Sequence, residues 1–282
     1  MKGFINLIKP EGMSSAFAVG AVKKKFHCPC GHMGTLDPMA SGVLPVGLGK
    51  TSRLFNYLLD KKKRYVARVL FGLNTDTLDV TGTVTDKTNI IPTIDEIRSV
   101  LLNFIGEIDQ VPPNYSAKCV DGKRGYELAR RGVEFELPPK KVTVLNMECT
   151  RQTGENEFEF IIDCKGGTYI RSLARDVAKA TGSLAVMSKL DRTVSGIFDY
   201  NNGVPVEEFF ASENPEQFLI DSALAVDFEK VILTGKQAQR ILDGVFDNLG
   251  YPDGTYRVYN EQEFWGIGVS KDGILKIEAY VR

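Results

Sequence analysis

Two stretches of strict alternation constrain this chain more than any other feature. From Arg64 to Phe71, the side chains of Tyr65, Ala67, Val69 and Phe71 share one face. Further on, Phe158, Phe160, Ile162 and Cys164 do the same. A period of two with one apolar face predicts half-buried strands. The segments around them have helical period. Thr93-Ile94-Asp95-Glu96 is a capping box, continued by Ile97, Leu101 and Phe104. Thr168 to Ala180 reads as a helix with Leu173 and Val177 inward and Gly182 as its stop. Ser14 or Ser15 can cap a helix whose apolar face carries Val19, Val22 and Phe26, and Thr51 to Leu59 reads as helical. Phe4 to Ile8 and Val43 to Leu48 are short apolar strands. Lys9 to Gly12 is a turn, and residues 27 to 42 are rich enough in Gly and Pro to read as a loop. Strands and helices alternate without a regular βαβ beat, so the expected class is α+β around a largely antiparallel sheet.

The texture changes near residue 227. Beyond it come one short helix, Lys236 to Leu242, and Gly-punctuated strands such as Tyr256 to Tyr259 and Phe264 to Val269. The expected organisation is a large domain over residues 1–227 and a small β-rich domain over 228–282, with 201–227 as a connecting region holding helical pieces. No internal repeat or low-complexity segment is visible.

No apolar run approaches the ~20 residues that span a bilayer. The start of the chain lacks the apolar stretch of a signal peptide, so a cytoplasmic protein without membrane contact is expected. The five cysteines, Cys28, Cys30, Cys119, Cys149 and Cys164, are odd in number and mostly scattered, which predicts reduced thiols. The formal net charge is −1, against the habit of nucleic-acid binders. Phosphates are neutralised one contact at a time, however, and local basic clusters exist. They are Lys23-Lys24-Lys25, Lys61-Lys62-Lys63-Arg64, Lys118 with Lys123-Arg124, Arg130-Arg131 and Lys140-Lys141. Each alone could simply be a solvated face.

The segment richest in chemistry is Gly31-His32-Met33-Gly34-Thr35-Leu36-Asp37-Pro38-Met39-Ala40-Ser41-Gly42. It sets a carboxylate in a Gly-rich loop near a histidine. Taken locally, Asp37 could be a nucleophile or only a turn-former ahead of Pro38. Just upstream, His27-Cys28-Pro29-Cys30-Gly31-His32 offers four zinc-ligand types in six residues, but one intervening proline makes a chelate from these four strained, so no metal is expected. Gly49-Lys50-Thr51 resembles the end of a P-loop. The glycine that motif requires five residues earlier is Leu44 here, so the NTPase reading fails.

The Gly31–Gly42 segment resembles the signature of the TruB family of tRNA pseudouridine synthases, roughly G-H-x-G-T-L-D-P-x-A-x-G. Further blocks match in order. Lys9-Pro10-Glu11-Gly12-Met13-Ser14-Ser15 comes first, then Lys63-Arg64-Tyr65 and Asn74-Thr75-Asp76-Thr77-Leu78-Asp79. Lys165-Gly166-Gly167-Thr168-Tyr169-Ile170-Arg171 follows, with Leu190-Asp191-Arg192-Thr193 beyond it. The match covers residues 3 to 200. Met33 stands where Thr is more usual, Asn74 replaces an Arg of some members, and Asp191 replaces a basic residue.

The resemblance implies a pseudouridine-synthase fold: α+β, a central mixed and largely antiparallel sheet flanked by helices, and a C-terminal PUA-like RNA-binding domain. The implied activity is isomerisation of uridine-55 in the TΨC loop of tRNA by base flipping. The reaction breaks a carbon–nitrogen bond and forms a carbon–carbon bond, importing and oxidising nothing, so no cofactor or metal is required. Asp37 matches the catalytic aspartate, as nucleophile or as stabiliser of a sugar-derived intermediate. Arg171 matches the arginine that pairs with it, and Tyr65 the aromatic that stacks on the extracted uracil and offers a hydroxyl as proton acceptor. Tyr169 and Leu190 match residues lining the base pocket. His32 matches a histidine that contacts the flipped nucleotide or fills the space it leaves, with general base as the rival role. Asp79 is expected to organise the site through hydrogen bonds, and Lys9 and Pro10 to buttress Tyr65. The implied partner is the T-arm stem-loop of tRNA, bound by a monomer with no obligate protein partner.

Two other functions share these motifs. A guide-RNA-dependent pseudouridylase of the H/ACA type works inside a multi-protein particle, and the short termini here favour the stand-alone type. An RNA-binding or tRNA-folding protein with secondary catalysis is the alternative from another class, disfavoured by the intact set Asp37, Tyr65 and Arg171.

Overall fold

The computed structural model describes every residue except 1, 59–60, 117–118, 121–122, 125–134 and 136. Its contacts divide the chain into two units. One comprises Asp37–Gly42 and Lys61–Ser195. The other comprises Met1–Leu36, Val43–Asp60 and Gly196–Arg282.

The unit built on Lys61–Ser195 is organised by the alternating segments. Lys63–Phe71 and Glu157–Cys164 are antiparallel neighbours, with Tyr65 opposite Ile162 and Ala67 opposite Phe160. The inward face of Lys63–Phe71 holds Tyr65, Ala67, Val69 and Phe71, all buried, as the period required. The sheet continues outward from Glu157–Cys164 through Lys140–Gln152 to Gly106–Gln110. On the other side of Lys63–Phe71 lies Ala185–Ser195, antiparallel to it, and beyond that the residues Ala40–Gly42, parallel. Helix Ile94–Leu101 begins with the expected capping box, the Thr93 hydroxyl and Glu96 carboxylate each taking a backbone N–H. It packs on Lys140–Gln152, and helix Ile170–Ala180 packs on Ala185–Ser195. The latter starts two residues later than the sequence predicts, buries Leu173 and Val177, and is followed by Gly182 at φ +72°.

In the other unit, Gly3–Lys9 runs parallel to Val204–Pro205 and antiparallel to Leu219–Ile220. Helix Ser15–Phe26 is capped by the Ser14 hydroxyl. Its buried stripe is Ser15, Ala18, Ala21 and Val22, whereas Val19 and Phe26 are only half-buried: the close packing selects the small side chains. The expected loop over residues 27–42 contains regular structure at both ends. Cys30–His32 is a short strand antiparallel to Val46–Leu48, and the next strand begins at Ala40 rather than Val43. A neighbouring strand supplies hydrogen bonds that outweigh the weak intrinsic strand preference of Gly. The expected helix after Thr51 is a 3₁₀ turn, Gly49–Leu54, running into one α-turn, Phe55–Leu58.

The C-terminal part of this unit is a five-stranded sheet in the order Glu229–Leu233, Gly254–Asn260, Glu263–Lys271, Gly273–Tyr280, Asn248–Tyr251. Helix Gly235–Leu242 opens with a capping box from Thr234 and Gln237. Trp265 is fully buried among Val231, Val258 and Leu275. On its other side Phe264, Ile267, Ala279 and Val281 share a core with Phe4, Val43, Leu54 and Val226, so this sheet is packed onto the N-terminal elements. Lys2–Glu263 and a hydrogen bond from Arg53 to the Tyr280 carbonyl cross the same seam.

Candidate active site

The Asp37–Ala40 turn is closed by the Ala40 N–H donating to the Asp37 carbonyl at 3.0 Å, with Pro38 fixing the first corner. The turn-former reading of Asp37 is therefore correct for its backbone. Its side chain does something else. Arg171, on the first turn of helix Ile170–Ala180, places Nη2 2.8 Å from Asp37 Oδ2. Asp37 is 36% exposed and Arg171 only 6%, so a partly open carboxylate sits on a buried guanidinium.

Arg171 is itself held from several directions. Its Nη1 donates to the Thr77 carbonyl at 2.7 Å, and its Nη2 to the Tyr115 carbonyl at 3.0 Å. The carboxylate of Asp79, also buried, lies 3.6 Å from Nη1. Asp79 accepts from the hydroxyls of Thr77 and Thr81 and from the Thr81 N–H. Its place is fixed by a bridge to Met187 and by Leu78, which takes a left-handed φ of +61°. Asp79 is thus a buried, hydrogen-bonded counter-charge behind the guanidinium. A fork with fixed donors suits this arrangement where a single ammonium would not.

Tyr65 lies buried on Lys63–Phe71, opposite Arg192 of Ala185–Ser195. Burial raises the proton affinity of its hydroxyl. Arg192 works against that, by its charge and a hydrogen bond, and the Asp37 charge adds to it. Tyr169, at the N-cap of helix Ile170–Ala180, is shifted upward for the same first reason, burial, with Asp37 again contributing. Both hydroxyls therefore sense the Asp37 carboxylate. Leu190 is buried in register with Ala40 and Ala67, beside the turn that carries Asp37. Asp37, Tyr65, Tyr169, Arg171, Leu190 and Asp79 thus come together in one unit. Lys9, Pro10 and His32 belong to the other unit. There the buried Lys9 ammonium donates to the carbonyls of Pro10 and Met13 at 2.7 Å each, tying the turn that follows it, and His32 ends the Cys30–His32 strand opposite Val46.

Three features escaped the sequence. Gln110 is buried, and its carboxamide pairs with both backbone groups of Tyr169. Lys63 is 5% exposed, and its ammonium has no hydrogen-bond or ion-pair partner among the described residues. Burial, with Arg192 nearby, lowers its pKa to about 8. Gly42 has φ +104°, and a Cβ there would lie 2.3 Å from the Arg192 carbonyl, so the signature glycine is required by close approach. Asp191, one of the departures from the family pattern, accepts a hydrogen bond from Ser41, its partner on the neighbouring strand.

Of the basic clusters, Lys62 and Arg64 both pair with Asp163, and Lys141 pairs with Glu107. Lys118 and Arg130-Arg131 lie outside the described residues, as do the side chains of Lys123 and Arg124. Among the described residues no group of three or more His, Cys, Asp or Glu side chains could hold a metal ion. The Cys28 and Cys30 sulfurs are 3.9 Å apart, and burial with the neighbouring Cys28 thiol pushes Cys30 up to about 12. No helix among the described residues is long and apolar enough to cross a membrane.

The fold has close relatives among solved structures. A Cbf5–Nop10–Gar1 complex aligns with a TM-score of 0.69 and 27% identity, covering 98% of this chain and 79% of that one. An H/ACA RNP bound to a substrate RNA containing 2′-deoxyuridine aligns at 0.71, with 24% identity and 99% and 85% coverage. These neighbours bear out the α+β fold with a PUA-like C-terminal sheet. Residues 23–170 match the family described as TruB family pseudouridylate synthase (N terminal domain). The tRNA pseudouridine synthase B of Alkaliphilus oremlandii is 38% identical over 282 residues, covering 96% of this chain and 94% of its own. That of Aquifex aeolicus is 37% identical, with 98% coverage of both. The chain belongs to the TruB family of pseudouridylate synthases, enzymes that isomerise uridine.

Proposed function

We propose that this enzyme converts uridine-55 in the TΨC loop of tRNA to pseudouridine, acting alone on the T-arm, with Asp37 as its catalytic carboxylate. The observation that carries the reading is the Asp37–Arg171 pair, a carboxylate held at 2.8 Å by a buried guanidinium beside two tyrosines and Leu190. Arg171 favours the ionised form of Asp37 and aims it. The target uridine leaves the loop stack at a cost of roughly a few kcal/mol. Stacking on Tyr65 and packing by Tyr169 and Leu190 offset that cost.

Asp37 then assists cleavage of the bond between the sugar C1′ and uracil N1, as nucleophile or as stabiliser of the sugar-derived cation. The base rotates, C5 bonds to C1′, and the proton on C5 leaves while N1 gains one. Burial keeps Tyr65 a phenol at rest, so its first task is stacking. It accepts the C5 proton only to the extent that Arg192 lowers the cost of a phenolate. Residues 1–227 carry this chemistry, and the sheet of 228–282 adds RNA contacts. The chain works as a monomer in the cytoplasm, without cofactor or metal.

The test is turnover on unmodified tRNA transcript and on a bare T-arm stem-loop, with the product mapped by position. Product at uridine-55 on both substrates is expected. Turnover only when a guide RNA or partner proteins are added would replace this reading with the H/ACA-type one. Binding without turnover would favour an RNA-folding role.

A further inference from the structure

We infer that Gln110 is a positioning residue for catalysis, setting Tyr169 and Arg171 in place through a two-point clamp on the backbone of Tyr169. The inference rests on the proposed reaction at Asp37. Gln110 ends the strand Gly106–Gln110 and is 1% exposed. Its Oε1 accepts from the Tyr169 N–H at 2.8 Å, and its Nε2 donates to the Tyr169 carbonyl at 3.0 Å. This is the pairing that a neighbouring strand would make, supplied by one side chain.

The helix it clamps needs such a brace. Helix Ile170–Ala180 has no side-chain cap at its N-terminus, and its first turn carries Arg171. Left to local interactions, this end would fray. The residues that follow Gln110 complete the restraint. The Val111 carbonyl accepts from the Ser172 hydroxyl at 2.8 Å and from Arg175 Nη2 at 3.1 Å, and the Tyr115 carbonyl accepts from Arg171 Nη2. Every one of these bonds runs from the first turns of the helix to Gln110–Tyr115. Gln110 is distinguished within that set because it holds both backbone groups of the residue immediately before Ile170. It thereby fixes Tyr169, a pocket residue, and the origin of Arg171 together. Catalytic groups must be held within ~0.5 Å of productive geometry, and a misplacement of ~1 Å costs about 10²-fold in rate.

Gln110→Leu and Gln110→Glu test this in the full chain, with single-turnover rates at saturating tRNA, tRNA affinity and thermal melting measured together. Gln110→Leu removes both bonds and is expected to lose roughly 10- to 100-fold in rate with tRNA affinity unchanged. Gln110→Glu adds a signature that a loss of packing would not give. Its carboxylate cannot donate to the Tyr169 carbonyl, but its protonated acid can. The ratio of variant to wild-type rate should therefore rise as the pH falls, measured at temperatures where both are folded. The inference is overturned if both variants match the wild type, if the rate falls only with the folded fraction or with tRNA affinity, or if the Gln110→Glu ratio is flat with pH. Wild type runs in the same assay, so its own failure to turn over would count against the proposed function rather than against Gln110.

Discussion

Replacing Arg171 with Met removes four contacts at once. The guanidinium lies 2.8 Å from Asp37 and 3.6 Å from Asp79, and donates to the carbonyls of Thr77 and Tyr115 at 2.7 and 3.0 Å. Breaking a buried ion pair by deleting one partner typically costs ~3–5 kcal/mol. The lower end applies here. Asp79 keeps its three donors from Thr77 and Thr81, and Asp37, at 36% exposure, is partly hydrated. A loss of about 3 kcal/mol lowers Tm by roughly 6–10 °C in a chain of this size. Catalysis should fall further, by at least about 10²-fold, because Asp37 loses both its aim and the charge that favours ionisation. Arg171→Lys keeps the charge but cannot bridge two carboxylates and two carbonyls. It should recover part of the stability and little of the rate. The assay is release of tritium from C5-labelled uridine in tRNA, since forming the new carbon–carbon bond displaces that hydrogen, run beside thermal melting. An Arg171→Met enzyme that melts within about 2 °C of wild type and keeps its rate to within about tenfold would refute this account of the pair.

Two further outcomes follow from buried groups. The folded pKa of Lys63, about 8, lies below the 10.5 of a free lysine, so between these values the unfolded chain holds more protons and stability rises with pH. Lys63→Met should remove that rise and stabilise the protein at pH 7 by up to about 3 kcal/mol, read from denaturant titrations at pH 7 and pH 10. Gly42→Ala should cost about 3 kcal/mol or more, because its Cβ would meet the Arg192 carbonyl at 2.3 Å in a left-handed backbone; thermal melting checks this.

Features governed by local pattern were legible in the sequence, and those governed by distant partners were not. Lys63–Phe71, Glu157–Cys164 and the Thr93 capping box announce themselves by period and spacing. The strands at Cys30–His32 and Ala40–Gly42 did not, because Gly and Pro mask an element that exists by virtue of its neighbours. The helix Ser15–Phe26 misled in part, since Val22 is buried as expected but shares its stripe with Ser15, Ala18 and Ala21, while Val19 and Phe26 stay half-buried. At the candidate site, Asp37, Tyr65 and Arg171 were proposed by resemblance, and the geometry adds how Arg171 is held. Gln110 gave no signal because its partner is a backbone 59 residues away. Lys63 was hidden inside a run of basic residues that read as a charged surface.

In the proposed reaction one ionised carboxylate, Asp37, carries the chemistry. Pseudouridine formation and tRNA affinity measured together for Asp37→Asn test it most directly. The substitution preserves shape and the Asp37–Ala40 turn while removing the charge that faces Arg171. No detectable pseudouridine is expected, with tRNA bound as tightly as by wild type. Product formed at a rate near wild type, or a loss of activity explained wholly by lost tRNA binding, would contradict it.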